Sequence, residues 1–421
     1  MSSMWLLPHF VLGGLSMAFN TIGQSQFYYS ELPKSMASIS SSLLGIGSSA
    51  ASLVSSFIMN IVDNVTKSGE KESWVSTNIN KGHYDYYYWL LAGLSMANFM
   101  YFLVCSKAYG PCKGEANEKE DMKKQLGSSS DEKKMIKETL LSTPNPKGGF
   151  QTLPFIIANE AFERMASVGL MPNMILYLTR EYGMETARGV NILFIWSAAT
   201  NFMPVIGAFL ADSYVGRYHM ISCGSIASLL GMFLLWLTTI FPPARFPHCD
   251  ELSKNCLSPT TSQLLLLYSS FGLMSIGAGG IRSSSIAFGA DQLKSGRDNL
   301  NSDGILRSYF SWYYVSVSIS AIISVTCIVY IQDKLGWRVG FGVPCMLMLL
   351  SAVLFFVASP FYVKLKAKES LLTGFAQVVA ASYKNRHIEL SSQATNEYYH
   401  YKKGAEFVKP TETLRYSISW V

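Results

Sequence analysis

Nine long apolar segments constrain the architecture of this chain most strongly. Each has about 20 residues or more, the length that a helix needs to cross the hydrocarbon core of a bilayer. Only 15% of the residues are charged and 49% are hydrophobic, whereas a soluble domain has about 25% charged residues. The sequence therefore predicts an all-α, multi-pass membrane protein. The predicted segments are 5–29, 36–62, 86–107, 150–178, 189–211, 218–241, 262–290, 308–331 and 339–363.

The nine segments fall into two groups, separated by a polar stretch. Residues 108–149 are rich in Glu, Lys, Ser, Pro and Gly and show no apolar face, so we expect a solvated linker there. The linker divides three helices in 1–107 from six helices in 150–363. The polar tail, 364–421, contains an apolar stripe, which indicates either a helix lying on the membrane surface or a plain solvated helix.

Lys and Arg residues indicate how the chain is oriented in the membrane. They are concentrated in the linker, the tail and alternate short loops. Cytoplasmic loops are enriched in these residues, so the net charge of +6 needs no nucleic-acid partner. We therefore expect a chain embedded in the lipid bilayer, with its linker and tail in the cytosol. Nine crossings that end inside then place the N-terminus outside.

A cluster of ionisable residues lies inside the fourth apolar segment. Glu160, Glu163 and Arg164 are three or four positions apart, so they share one face of a helix. Each such residue costs about 2.5–3.5 kcal/mol at the bilayer centre on insertion scales. Arg282 lies deep in the seventh segment, and by these boundaries the other apolar segments hold no Asp, Glu, Lys or Arg at such depth. Two acids and two bases in balance predict one shared site.

The chemistry of these side chains is suited to binding protons and anions. Burial favours the neutral form of a carboxyl group and a neighbouring guanidinium favours the ionised form, so Glu160 and Glu163 are candidates for proton coupling. We expect Arg164 to pair with Glu160, with Glu163 turned toward the same cavity. Arg282 is a fixed cation suited to an anionic substrate, and we expect it to face this helix. The alternative is a charge network that only holds helices together.

Enzymatic chemistry is not indicated by the sequence. The six His residues form no metal-spaced cluster. The sequence also contains no GxSxG nucleophile motif and no phosphate-binding Walker motif. We therefore predict no catalytic residue, no metal and no cofactor.

Three motifs resemble one family of transporters. Residues 155–164, Phe-Ile-Ile-Ala-Asn-Glu-Ala-Phe-Glu-Arg, resemble the ExxER motif on the first helix of plant nitrate/peptide transporters. These belong to the proton-dependent oligopeptide transporters of the major facilitator superfamily. Residues 207–218 resemble the loop that follows the second helix in that superfamily. Residues 279–282 and 287–292 resemble the family's fourth helix, so 148–400 look like the N-terminal half, closest to the first subfamily.

The resemblance assigns a gating loop to the stretch after the fifth apolar segment. Its expected members are Gly207, Asp212, Gly216 and Arg217. Asp212 is acidic and would be stabilised by a positive helix N-terminus, such as that of the segment starting near Ser35. We expect these residues to control opening rather than to bind substrate.

The front of the chain resembles the other end of the same family. Residues 4–9, 22–24, 27–29 and 80–86 are similar to parts of helices ten to twelve. The end of one member is then followed by the beginning of another, and helices seven to nine have no counterpart. We interpret the chain as an incomplete major facilitator fold of three plus six helices, produced by a fusion of neighbouring tandem genes.

Departures from the family pattern narrow the expected function. Met17 stands where the tenth helix usually carries an acidic residue, and 165–169 lack the tyrosines common in peptide carriers. The resemblance implies a plasma-membrane protein that transports protons with nitrate or another small anionic or organic solute, rather than dipeptides. The alternative is a transport-inactive chimera of joined genes. Association with another transporter chain is a further expectation, since an intact pore needs two halves.

Overall fold

The structure is a computed structural model that describes residues 7–31, 37–67, 73–76, 82–109, 148–240, 260–294 and 302–365. Within these ranges the chain forms nine long α-helices and no strand, so the prediction of an all-α protein is confirmed. The helices are α1 (Leu7–Glu31), α2 (Ala37–Thr66), α3 (Tyr84–Tyr109), α4 (Leu153–Arg180), α5 (Thr186–Leu210), α6 (Arg217–Ile240), α7 (Thr261–Lys294), α8 (Ser302–Ile323) and α9 (Val329–Val357). Most of the linker, and the part of the tail predicted to form a surface helix, lie outside the described residues.

Length and hydropathy mark most of these helices as membrane spans. In the described part of the chain, six helical stretches are long and apolar enough to cross a bilayer. The last of them, Ser308–Val357, contains part of α8 and all of α9. Helices α1 and α4 are not in this set, and in α4 the charged residues Glu160, Glu163, Arg164 and Arg180 lower the mean hydropathy. The helices agree in position with the nine predicted segments.

The eighth and ninth predicted segments are joined by helical structure, interrupted at one residue, and not by a loop. Helix α8 runs through a π-helical turn, Ser324–Ile328, directly into α9. The interruption comes later, at Gly336, whose φ of 77° and ψ of 174° are not helical. Glycine adopts positive φ at little cost because it has no Cβ. The first two turns of α9 therefore extend the eighth span, and the ninth span begins after Gly336.

Helix α7 is the central helix of the six that follow the linker. It packs against α5 where Gly207 meets the backbone of Gly279, and against α6 where Gly224 meets Gly277. Residues without a side chain let helix backbones approach closely in a membrane protein. The glycine run of the seventh segment therefore allows α7 to pack closely against both neighbours.

Gly277 offers a direct test of this packing. A Cβ at this position would overlap the Ser228 hydroxyl and the Gly224 carbonyl, so Gly277→Val is expected to destabilise the fold by about 1–3 kcal/mol. Gly272 lies on the same helix with open space where its Cβ would stand, so Gly272→Val is the matched control. Thermal unfolding of both variants in detergent measures the difference. Equal losses would show that close approach at Gly277 is not what the helix requires.

Helix α2 connects the front helices to the six-helix half through a row of polar contacts with α5, here called the α2–α5 seam. The seam comprises hydrogen bonds from Ser49 Oγ to the Ala198 carbonyl (2.9 Å), from Ser52 Oγ to Ser197 Oγ (3.2 Å) and from Asn191 Nδ2 to Asn60 Oδ1 (3.1 Å). Gly45 lies against the Asn201 carbonyl. The Ser- and Gly-rich composition of the second segment suits such close helix contact in a membrane protein.

Helices α1 and α3 are much less covered than α2. No described residue of α3 is buried, although its first turn packs beside Met59 and Val75. Every α1 side chain that the structure describes is exposed. The cover that the front three helices give to the six-helix half therefore comes mainly from α2.

Candidate functional site

The candidate site is built on the first half of α4. The helix starts with Pro154 in its first turn, a position where the missing N–H costs nothing. Further along, Asn159 fixes the rotation of α4, since its Nδ2 donates to Ser351 Oγ at 2.9 Å and Ser351 Oγ donates to its carbonyl at 3.0 Å. This contact with α9 turns the face carrying Glu160 and Glu163 into the bundle, where both side chains are only 1% exposed.

Glu160 and Arg164 form the predicted intrahelical pair. Arg164 Nε donates to Glu160 Oε1 at 3.1 Å, one turn apart on α4. The second carboxylate oxygen, Oε2, is buried and has no hydrogen-bond partner among the described residues. A buried acceptor without a partner is costly.

Glu163 pairs with Arg282 across two helices. Arg282 Nη2 donates to Oε1 at 3.0 Å and Arg282 Nε donates to Oε2 at 3.2 Å. Arg282 Nη2 also donates to Ser167 Oγ at 2.7 Å. A two-bond arginine–carboxylate pair is among the strongest side-chain contacts because the planar groups match in shape. The four predicted residues thus meet in one place, and Arg282 faces α4 as expected.

Arg282 has its described partners within the six-helix half. In the structure Arg282 is satisfied by Glu163 and Ser167, both on α4, and the Met17 side chain is 73% exposed. The charge of Arg282 is therefore balanced inside the six-helix half, without any contribution from α1.

The expected gating loop is organised around Arg217. Its guanidinium contacts Asp212 Oδ1 at 3.1 Å and Asp291 Oδ2 at 2.7 Å, and we call these three residues the gate triad. Asp212 is therefore balanced by an arginine, and the helix N-terminus near Ser35 that the sequence suggested lies outside the described residues. Gly216 has a φ of 84°, which permits the sharp turn between the π-helical stretch and α6. Gly207 lies inside α5 as a packing residue.

Three kinds of residue at these sites escaped the sequence reasoning. The positions of Ser167 and Asp291 in the sequence could have indicated their roles. Ser167 is one turn beyond Glu163, and Asp291 lies near the end of the motif in residues 287–292. Tyr309 and Tyr313 of α8 are buried and interact electrostatically with Glu160. Tyrosines within an apolar segment do not show which helix they will face.

Several apolar spans of the described chain enclose buried, paired ionisable residues, the arrangement of an integral membrane protein with a polar interior. Such residues in spans typically mark ion or substrate pathways. The chain belongs to the POT family, since the PTR2 family model matches residues 1–75 and 218–419. It is therefore a member of a transporter family and an integral, multi-pass membrane protein, as predicted.

The curated relatives point to the same group in plants. Protein NRT1/PTR FAMILY 1.2 of Arabidopsis thaliana is 51% identical over 273 residues, which cover 64% of this chain and 45% of the relative. Protein NRT1/PTR FAMILY 1.1 of the same organism is 50% identical over 285 residues, covering 66% and 48%. The chain thus spans about half the length of these relatives. The resemblance to the first subfamily is confirmed, and the fusion of two genes stays a prediction.

Solved structures of the same family are also similar. An auto-inhibited POT family peptide transporter matches with a TM-score of 0.46 at 23% identity, covering 58% of this chain and 43% of that one. A peptide transporter POT in complex with sulfate matches with a TM-score of 0.44 at 17% identity, covering 58% and 46%.

Proposed function

We propose that this chain carries the proton- and anion-binding half of a proton-coupled transporter for nitrate or another small anionic solute. The observation that carries the proposal is the two-bond pair between Glu163 and Arg282. An arginine that is already neutralised cannot attract an anion strongly. It becomes available when its carboxylate partner takes up a proton, so one ion pair links the two binding events.

The coupling follows from charge balance. When Glu163 is protonated it loses its negative charge, and Arg282 is left as an uncompensated buried cation. Such a cation is expensive in a low-dielectric site unless an anion neutralises it. A proton on Glu163 and an anion on Arg282 therefore stabilise each other, and the bound pair adds no net charge to the site.

Glu160 and Arg164 are proposed to act as the neighbouring proton store. Glu160 keeps one oxygen on Arg164 and leaves the other without a partner among the described residues, so a proton on Oε2 requires no bond to break. Arg164 is the more exposed of the two site arginines, with 31% of its side chain accessible. Through Arg164, the Glu160–Arg164 pair is the more accessible of the two ion pairs.

The remaining parts of the proposal concern opening and completeness. The gate triad joins the α5–α6 turn to the end of α7, so breaking it would let these helix ends separate. A full transport cycle needs one half to move against another around the site. We therefore propose that the chain works in the plasma membrane with further helices supplied by another transporter chain.

Anion binding at acidic and at neutral pH tests the proposed coupling. The purified chain in detergent is heated with potassium nitrate or with potassium chloride at equal ionic strength. Nitrate is expected to raise Tm at acidic pH, where Glu163 takes up a proton, and to have little effect at neutral pH. A bound ligand stabilises the folded state by mass action. Each kcal/mol of stabilisation raises Tm by about 2–4 °C for a folded unit the size of the six-helix half.

Three variants make the outcome specific. Glu163→Gln removes the neutralising charge and is expected to bind nitrate at both pH values. Arg282→Ala is expected to bind at neither, provided that it remains folded in detergent. Glu160→Gln leaves the Glu163–Arg282 pair intact and is the matched control, so its nitrate binding is expected to remain pH-dependent. Nitrate stabilisation that ignores pH in the unmodified chain would contradict the coupling.

A further inference from the structure

Gln292 at the end of α7 makes a pair of hydrogen bonds with the chain that leaves α9. Its Nε2 donates to the Val363 carbonyl at 2.9 Å, and the Val363 N–H donates to its Oε1 at 2.8 Å. The Gln292 side chain is fully buried. A buried side-chain amide that satisfies both hydrogen-bonding groups of one residue holds that residue in a single position.

The chain that enters α4 is attached to the same point. The Gly149 N–H donates to the Gln292 carbonyl at 3.0 Å, and the Gly148 N–H donates to the Phe361 carbonyl at 2.9 Å. Gly148 has a φ of 93° and lies against Gln292 and Val363, where a side chain would crowd both. The end of the 108–149 linker and the start of the 364–421 tail are therefore held side by side at one helix end.

The next residue of α7 belongs to the gate triad. Asp291 accepts from Arg217, whereas Gln292 holds the linker and the tail, so adjacent residues serve two different contacts. The start of α6 is attached to the segment that follows α9 as well, since the hydroxyls of Tyr218 and Ser359 are 2.7 Å apart. The rotation of the last turn of α7 thus affects both sets of contacts together.

We propose that Gln292 is a positioning residue that anchors the linker and the tail to α7 and so sets the geometry of the Arg217–Asp291 ion pair. The gating role of that ion pair rests on the proposed function, but the anchoring does not. Through this anchor, a change in the linker or the tail reaches the gate triad without contact with the proton and anion site. The two polar segments that flank the six-helix half would then act on it at one place.

Hydrogen exchange in the full chain tests the anchor. Gln292→Met keeps the length of the side chain and removes its hydrogen bonds. Amides in 360–365 are expected to exchange about thirtyfold faster, the factor expected for the two hydrogen bonds lost to Val363. Faster exchange is also expected in 148–152, because Gly148 donates to the Phe361 carbonyl in the segment that is released. Gln263→Met at the opposite end of α7 is the matched control, because Gln263 is also buried and accepts from the Thr260 N–H at 3.1 Å.

Gln292→Glu separates hydrogen bonding from packing. When protonated, its carboxyl group donates to the Val363 carbonyl and accepts from the Val363 N–H, as the amide does. When ionised, it only accepts. After correction for intrinsic exchange, protection in this variant is expected to approach the original at acidic pH and Gln292→Met at neutral pH. Asp291, Arg217 and Lys364, the charged side chains described near this helix end, are the same in all variants.

The same experiment reports on the gate triad through the exchange rates of the amides in 211–218. These amides include the Gly216 N–H, which donates to the Ala211 carbonyl at 3.0 Å, and they are expected to exchange faster in Gln292→Met. Unchanged protection of 148–152 and 360–365 would overturn the anchor. Unchanged protection of 211–218, or an equal increase throughout the six-helix half, would overturn the link to the gate triad. No transport is measured, so these failures are distinct from a failure of the proposed function.

Discussion

Arg282→Ala is expected to destabilise the chain by about 3–5 kcal/mol, the typical cost of removing one member of a buried ion pair. The reason is the environment of Glu163, whose side chain is 1% exposed and which accepts two hydrogen bonds from this arginine. After the substitution its carboxylate loses both bonds and its counterion together. Unfolding in detergent at neutral pH, followed by circular dichroism, measures the loss.

A second substitution separates the charge effect from the loss of packing. In Glu163→Gln/Arg282→Met neither buried side chain is charged, and replacing a buried pair by neutral groups of similar size is often nearly neutral. We therefore expect the double variant to recover most of the stability that Arg282→Ala loses. The pair would be shown to contribute little if Arg282→Ala alone unfolded like the unmodified chain.

Proton-driven nitrate uptake by this chain expressed alone is expected to be weak or absent. Alternating access requires one half of a transporter to rock against the other around a central site. The described front helices cover the six-helix half mainly through α2, whereas α3 has no buried residue and the described α1 side chains are exposed. The residues proposed to bind protons and anions are present, but among the described front helices only α2 covers the six-helix half extensively.

Oocytes that express the chain provide the measurement. Uptake of labelled nitrate is compared at acidic and neutral external pH, with surface labelling to confirm that the chain reaches the plasma membrane. Glu160→Gln and Arg282→Ala are measured beside the unmodified chain. Strong acid-stimulated uptake that either substitution abolishes would show that three front helices are sufficient and that no other chain is needed.

The helices and the site residues on α4 were predictable because both depend on local rules. A span needs about 20 apolar residues, and residues three or four apart share a helix face, so the Glu160–Arg164 pair could be predicted from spacing. Arg282 could be assigned to the same site because uncompensated charges are rarely tolerated in lipid. Each of these predictions requires only the sequence of a single helix or the rule that buried charges must be balanced.

The contacts that could not be predicted depend on how helices are rotated and how their ends meet. The choice of Glu163 over Glu160 as the partner of Arg282 depends on the rotation of α4, which the Asn159–Ser351 contact helps to set. Asp291 pairs with Arg217 because the fold brings the end of α7 beside the α5–α6 turn, and the sequence does not show that these two regions meet. Periodicity gives the face of a helix but not its neighbour.

The α2–α5 seam restricts the kinds of motion that are open to the front helices. Its polar contacts extend along α2 from Ser49 to Asn60, which is about 16 Å at about 1.5 Å per residue, or roughly half the thickness of a hydrocarbon core. Sliding α2 along α5, parallel to the helix axes, would break all hydrogen bonds of the seam together. The hydrocarbon core contains no water that could form hydrogen bonds in their place. Swinging about the row as an axis stretches each bond only slightly. The seam therefore favours rotation over translation, and α2 and α5 keep their register while the helices beyond them change angle.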